Sequence, residues 1–208
     1  MLAYADDIVL LSPLWHGLQS LLSIVEQAAS AIGMMFNTEK TVCMSASPYD
    51  KHKMVSDCFP QFKLAGCELS YVAQFKYLGH IIELSFVDDT DINRELKNLF
   101  PRTNVLLRRF SYCSSPVKLQ LFKSYCVCFC DIALWSNFHA CVLSKLASAY
   151  VKCLQLFFGY SKYSSVTAMI MVLGLSSFDT VMHNAIIGFS NRLHRCSNAV
   201  VQPVLRVN

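Results

Sequence analysis

The sequence predicts an α+β chain: short antiparallel hairpins early, helices behind them. Three observations predict it. Residues 1–12, M-L-A-Y-A-D-D-I-V-L-L-S, set Asp6 and Asp7 between short apolar arms, the pattern of a hairpin with the pair at its tip. Residues 75–82, F-K-Y-L-G-H-I-I, repeat that pattern around Gly79, where the backbone needs a positive φ or a close approach to another chain. Residues 14–32, and most of the chain after residue 91, instead follow helical spacing.

Taken in order, the aspartate pair comes first. Two adjacent carboxylates with no nearby Lys or Arg repel each other, and a hard divalent cation such as Mg²⁺ relieves this. An Asp-Asp turn that merely closes a hairpin is the alternative. After a break read at Pro13 and Trp15–Gly17, Leu18, Leu21, Leu22, Val25, Ala28, Ala29 and Ile32 recur on one face of a helix over Leu14–Ile32, and Gly33 is placed to end it. Met34–Ser45 reads as strand, turn and second short strand around N-T-E-K. Ser47–Ser70, with Pro48 and Pro60, reads as loop with short strands, and His52 as solvated.

Asp88-Asp89-Thr90-Asp91 invites a second metal site, but it directly precedes a helical run and is read as its cap. That helix sets Ile92, Leu96 and Leu99 on one face, with Arg94 and Lys97 elsewhere, and Pro101 should kink or end it near Phe100. Thr103–Phe110 resumes as helix, ending in Arg108-Arg109. Ser114-Ser115-Pro116 opens another, carrying Lys118 and Lys123. Tyr125 and Trp135 are expected in the core. Tyr150–Gly159, Ser161–Ser177 and Phe189–His194 complete the helical part, with Arg192 and Arg195 on a polar side.

Composition narrows the classes. Hydrophobic residues make up 54% and charged residues 15% of the 208, against about 45–50% and 25% in ordinary soluble domains. So apolar a chain either sits in a membrane or is a piece of something larger. No run of eighteen uncharged apolar residues occurs: Asp131 breaks Tyr125–Trp135, and Val166–Leu175 is too short. Met1–Leu11 has two aspartates and no basic segment, unlike a signal peptide. A fragment without a membrane partner is therefore expected. Ten cysteines lack C-x₂-C spacing; Cys126, Cys128 and Cys130 read as small buried residues, and reduced thiols in an intracellular compartment, nucleus or cytoplasm, with no disulfide-linked partner are expected. Charge is uneven: residues 1–91 hold five Lys/Arg and eleven Asp/Glu, residues 92–123 seven and one, residues 124–208 six and two. The middle stretch suits phosphate, although a solvated helix face looks alike.

Tyr4-Ala5-Asp6-Asp7 resembles the Y/F-A-D-D box of reverse transcriptases, those of non-LTR (LINE-type) retrotransposons in particular. Three further likenesses follow in the family's order. Asn37-Thr38-Glu39-Lys40-Thr41 is similar to its N-x-x-K-T segment, and Phe75–Ile82 to the F-K-Y-L-G-x-x-I box that closes the palm. S-x-x-x-K-x-x-L-F-x-S-Y leading to Leu134-Trp135 resembles the thumb, and L-G-L-x-S-F at Leu173–Phe178 the region beyond it. The resemblance implies an RNA-directed DNA polymerase that joins a nucleoside triphosphate to a primer 3′-hydroxyl with Mg²⁺. It implies metal ligation by Asp6 and Asp7, and a Lys40 near the leaving pyrophosphate as proton donor or charge partner. It further implies primer placement by Tyr77, Leu78 and Gly79, and duplex contacts from Arg108, Arg109, Lys118 and Lys123. RNA template and DNA primer are the implied partners. On this reading residues 1–87 are part of a palm, 88–135 a basic thumb, and 136–208 a post-thumb region. In the family a third metal-binding aspartate and the nucleotide pocket lie upstream of the box, where this sequence starts. The polypeptide alone is therefore expected to be inactive. A non-enzymatic nucleic-acid-binding remnant is the alternative.

Overall fold

The computed structural model describes residues 1–46, 59–127, 129, 131–198 and 201. The chain is α+β and divides into two units, Met1–Phe75 with Glu83–Ser85, and Lys76–Ile82 with Phe86–Asn208. The expected solvation of His52 and the loop at Pro48 lie outside the described residues, as do Cys128 and Cys130; Cys126 is buried.

The first unit opens with a hairpin of β1 (Leu2–Tyr4) and β2 (Asp7–Val9), in the register Leu2↔Val9, Ala3↔Ile8, Tyr4↔Asp7. A helix α1 (Trp15–Ala31) follows and ends as its glycine requires: Gly33 has φ +73° and donates its N–H to Ser30 O. The expected strand-turn-strand over Met34–Ser45 forms only in part. Met34–Phe36 joins no strand, and β3 (Val42–Cys43) pairs in parallel with β6 (Ser70–Tyr71), not with its own neighbour. Between them β4 (Lys63–Leu64) and β5 (Cys67–Glu68) close a hairpin over Ala65-Gly66. Leu22, Cys43, Phe62, Leu64 and Leu69 form this unit's small core, with Trp15 stacked on Phe62 at 5.8 Å.

The second unit contains the larger core. Its helices are α2 (Asp89–Phe110), α3 (Ser115–Tyr125), α4 (Ala140–Phe158), α5 (Val166–Leu173) and α6 (Phe178–Arg195). Helix α2 does not end at Phe100; it runs through Pro101 for 22 residues. A helix-interior proline costs about 3 kcal/mol. Breaking the helix there would strip Leu99 and Leu106 (0% and 1% exposed) from α4, at about 1.5–3 kcal/mol each. Burial on both sides outweighs the proline. Thr103, fully buried beside it, satisfies its hydroxyl on the Leu99 carbonyl at 2.9 Å.

Helix α4 is long and apolar enough to cross a membrane by length and composition. It also supplies Leu146, Tyr150, Cys153, Leu154 and Phe157 to the core, among Phe122, Met169 and Phe178. Burial pushes the Tyr150 phenol up to about 12 while its hydroxyl donates to Ser176 O at 3.0 Å. Trp135 is buried as expected, but Tyr125 is 54% exposed, because it is the last residue of α3 and the fold leaves it at the helix end in solvent.

Candidate functional site

The aspartate hairpin turns over two residues, Ala5 and Asp6. Ala5 takes φ +50°, the backbone conformation such a tight loop requires. Asp6 is thus at the tip and Asp7 opens β2 opposite Tyr4, one position off the expected placement of both at the tip. Both carboxylates are exposed, and neither makes a hydrogen bond or ion pair with a described residue. Oxygen-only, hard and unpaired, they fit Mg²⁺ as ligands. No third carboxylate or imidazole lies with them among the described residues.

Lys40 sits on an exposed turn. Its N–H donates to Asn37 Oδ1 at 3.1 Å, and Thr41 Oγ1 donates to Asn37 O at 2.8 Å, so the asparagine folds the N-T-E-K segment over itself. No ion pair joins Lys40 to Asp6 or Asp7.

The second box forms the hairpin of β7 (Gln74–Tyr77) and β8 (His80–Glu83), turning over Leu78 and Gly79. Both loop residues have positive φ, +49° and +99°, as a two-residue type I′ loop demands. Among the described residues nothing lies within 4 Å of where a Gly79 Cβ would stand, and the positive φ gives the glycine a reason of its own. Leu78, 51% exposed, projects from the tip.

The acidic run stands at the start of α2 but does not supply the side-chain cap expected of it. Asp88 is the N-cap residue, but its side chain makes no capping bond; its Oδ2 accepts from Ser136 N (2.8 Å) and Asn137 N (3.0 Å). Asp89 accepts from His139 N at 2.9 Å and lies 2.6 Å from His139 Nδ1. The His139 backbone N–H leads the effects that lower the Asp89 pKa. Asp91 is fully buried. It accepts from Ile81 N (3.0 Å), Arg94 Nε (2.8 Å) and Trp135 Nε1 (2.9 Å). Desolvation pulls its pKa upward, but Arg94, Trp135, the Ile81 amide and His80 together outweigh burial and hold it below the ordinary value. Sequence reasoning missed this centre because its partners lie 10 to 44 residues away; the one local sign was the Asp91–Arg94 spacing.

His80, Asp91 and Asp131 approach closely enough to suggest a metal centre. Arg94 already occupies it, bonding Asp91 at 2.8 Å, Glu95 at 2.7 Å and Asp131 at 2.7 Å, while Arg102 takes the other Glu95 oxygen at 3.0 Å. The guanidinium supplies the positive charge a metal would bring.

This divides the basic stretch. Arg94 and Arg102 are spent inside the fold. Arg108, Arg109 and Lys123 are exposed without an ion-pair partner among the described residues, and Lys118 lies half-buried over the Phe157 ring at 5.8 Å. A groove of about 330 Å³ between α2 and α4 adds two lysines that sequence reasoning did not single out, Lys145 and Lys152, beside Ser144 and Ser148.

Residues 1–82 match the reverse transcriptase (RNA-dependent DNA polymerase) family, a stretch that holds both hairpins and ends within β8. Neither curated proteins nor solved structures give a match to this chain.

Proposed function

We propose that this chain is a portion of a non-LTR (LINE-type) reverse transcriptase: the later part of the palm, a basic helical thumb, and helices beyond. The observation that carries the reading is the family match over residues 1–82, within which both family-like boxes occupy two-residue hairpin loops. Asp6 and Asp7 would hold Mg²⁺, which when bound supplies electrophilic stabilisation for nucleotidyl transfer to a primer 3′-hydroxyl. Lys40, exposed and without an ion-pair partner among the described residues, has the charge to neutralise a departing pyrophosphate or give it a proton. Tyr77–Gly79 would set the primer end, and Arg108, Arg109, Lys118 and Lys123 would bind the RNA–DNA duplex through phosphates.

Two carboxylates cannot hold the pair of ions that such a reaction uses, and no third ligand stands beside them among the described residues. The 208-residue polypeptide is therefore expected to bind duplex without extending it. The test is incorporation of labelled nucleotide on a primed RNA template, run beside duplex binding at rising salt. Binding that falls steeply with salt and ignores Asp6→Asn is expected; salt-insensitive binding would sink the assignment of the basic helices. Extension abolished by Asp6→Asn would overturn the expected inactivity. A second reading, a non-enzymatic nucleic-acid-binding remnant, draws on the exposed cations of α2 and α3. It differs in expecting no divalent-ion affinity at Asp6 and Asp7.

A further inference from the structure

We infer that Asp91 is a positioning residue that latches the tip of the β7–β8 hairpin onto helix α2. Residues 76–82 belong to the same unit as the helices. The direct ties are few. Ile81 N donates to Asp91 Oδ1 at 3.0 Å. His80 brings its Nδ1 to 3.0 Å from Asp91 Oδ2 and its Nε2 to 3.7 Å from Asp88 Oδ1. The Nδ1 contact is off the line of a hydrogen bond, so that buried nitrogen has no hydrogen-bond partner and the Ile81 amide carries the geometry. From the other side Trp135 Nε1 and Arg94 Nε fix the same carboxylate.

A carboxylate held by two donors from the helical body cannot turn to follow a moving strand. Its remaining lone pairs therefore set where Ile81, and with it the Leu78-Gly79 loop two residues before, must lie. On the reading that this loop places a primer end, Asp91 governs the placement without touching nucleic acid.

Hydrogen–deuterium exchange of the whole chain tests the latch, comparing peptides over 76–84 with peptides from α4 in wild type, Asp91→Asn and His80→Gln. Two variants are used because Asp91→Asn weakens the hold on Arg94 and can loosen α4 itself, whereas His80→Gln leaves Arg94 paired. Weakening the charge-assisted Ile81–Asp91 bond in Asp91→Asn, or removing the His80 ion-pair contact beside it in His80→Gln, predicts exchange at the tip about tenfold faster relative to α4 in at least one variant. A tip unchanged relative to α4 in both overturns the latch. The functional half is read separately, as preference for an RNA–DNA duplex with a recessed 3′ end over its blunt counterpart. Wild type should show the preference, and Asp91→Asn should lose it while keeping blunt-duplex affinity. An Asp91→Asn protein that keeps the preference refutes the positioning role. No preference in wild type refutes the primer-placing reading itself, whatever exchange shows.

Discussion

Replacing Arg94 by Met removes one cation from among three carboxylates and keeps most of the side-chain volume. Arg94 makes three bonds of 2.7–2.8 Å, to an Asp91 that is fully buried and a Glu95 only 4% exposed. Deleting one partner of a buried ion pair costs about 3–5 kcal/mol. The Arg94 side chain is 19% exposed, so partial screening puts the expected loss near the lower end, about 3 kcal/mol. With a urea m-value of about 1–3 kcal/mol per molar, the midpoint should fall by about 1–3 M. Trp135 fluorescence in a Trp15→Phe background reports the unit that holds the network. The pH dependence provides the sharper check. In wild type the Asp91 pKa is depressed, so its contribution is complete above the unfolded carboxylate value of about 3.9 and disappears as pH falls through the folded value. Without Arg94, the leading counterweight to burial, the Asp91 carboxyl should titrate above its unfolded value, so the variant gains stability as pH drops from 7. The gap between the two proteins should therefore narrow in acid. A loss under about 1 kcal/mol, or a gap that stays constant between about pH 7 and pH 4, would refute a network held by charge.

Three other expectations follow from the geometry. Asp6→Asn with Asp7→Asn should abolish divalent-ion binding measured by calorimetry, and should move stability by less than about 0.5 kcal/mol because both side chains are exposed and without a partner among the described residues. Gly79→Ala puts a Cβ on a φ of +99° and should cost about 1–2 kcal/mol in thermal unfolding, whereas Leu78→Gly should be neutral or stabilising. Neutralising Arg108, Arg109 and Lys123 together should reduce the salt dependence of duplex binding, with a log–log slope shallower by up to about three. An unchanged slope would put the phosphate contacts elsewhere.

Legibility followed distance along the chain. Helix α1 and the two tight loops are local events, and the apolar spacing of residues 18–32 and the glycine at 79 specify them within a few residues. The run at 88–91 carried a local signal too, and a helix does begin there with Asp89 and Asp91 in its first turn. What these acids bind farther along, residues 135–139, could not be read from the run itself. The same holds for β3, whose partner is 28 residues on, and for Pro101, where a strong local breaker yields to burial against a helix beginning at Ala140. Tyr125 and Trp135 looked alike as aromatic residues near helices; only the carboxylate waiting for an indole N–H distinguishes them. At the candidate site, the hairpins were visible in sequence and the support beneath the second was not.

The Ile81–Asp91 bond has a consequence for where this protein can be cut. The family match stops at residue 82, and a polypeptide ended there would keep every matched residue. It would nevertheless leave the Ile81 amide without its acceptor, and Asp91 in turn needs Arg94 and Trp135 to be held in place. The smallest piece able to hold the second hairpin in its native form therefore extends at least to Trp135. Family similarity and self-sufficient folding draw their borders at different residues.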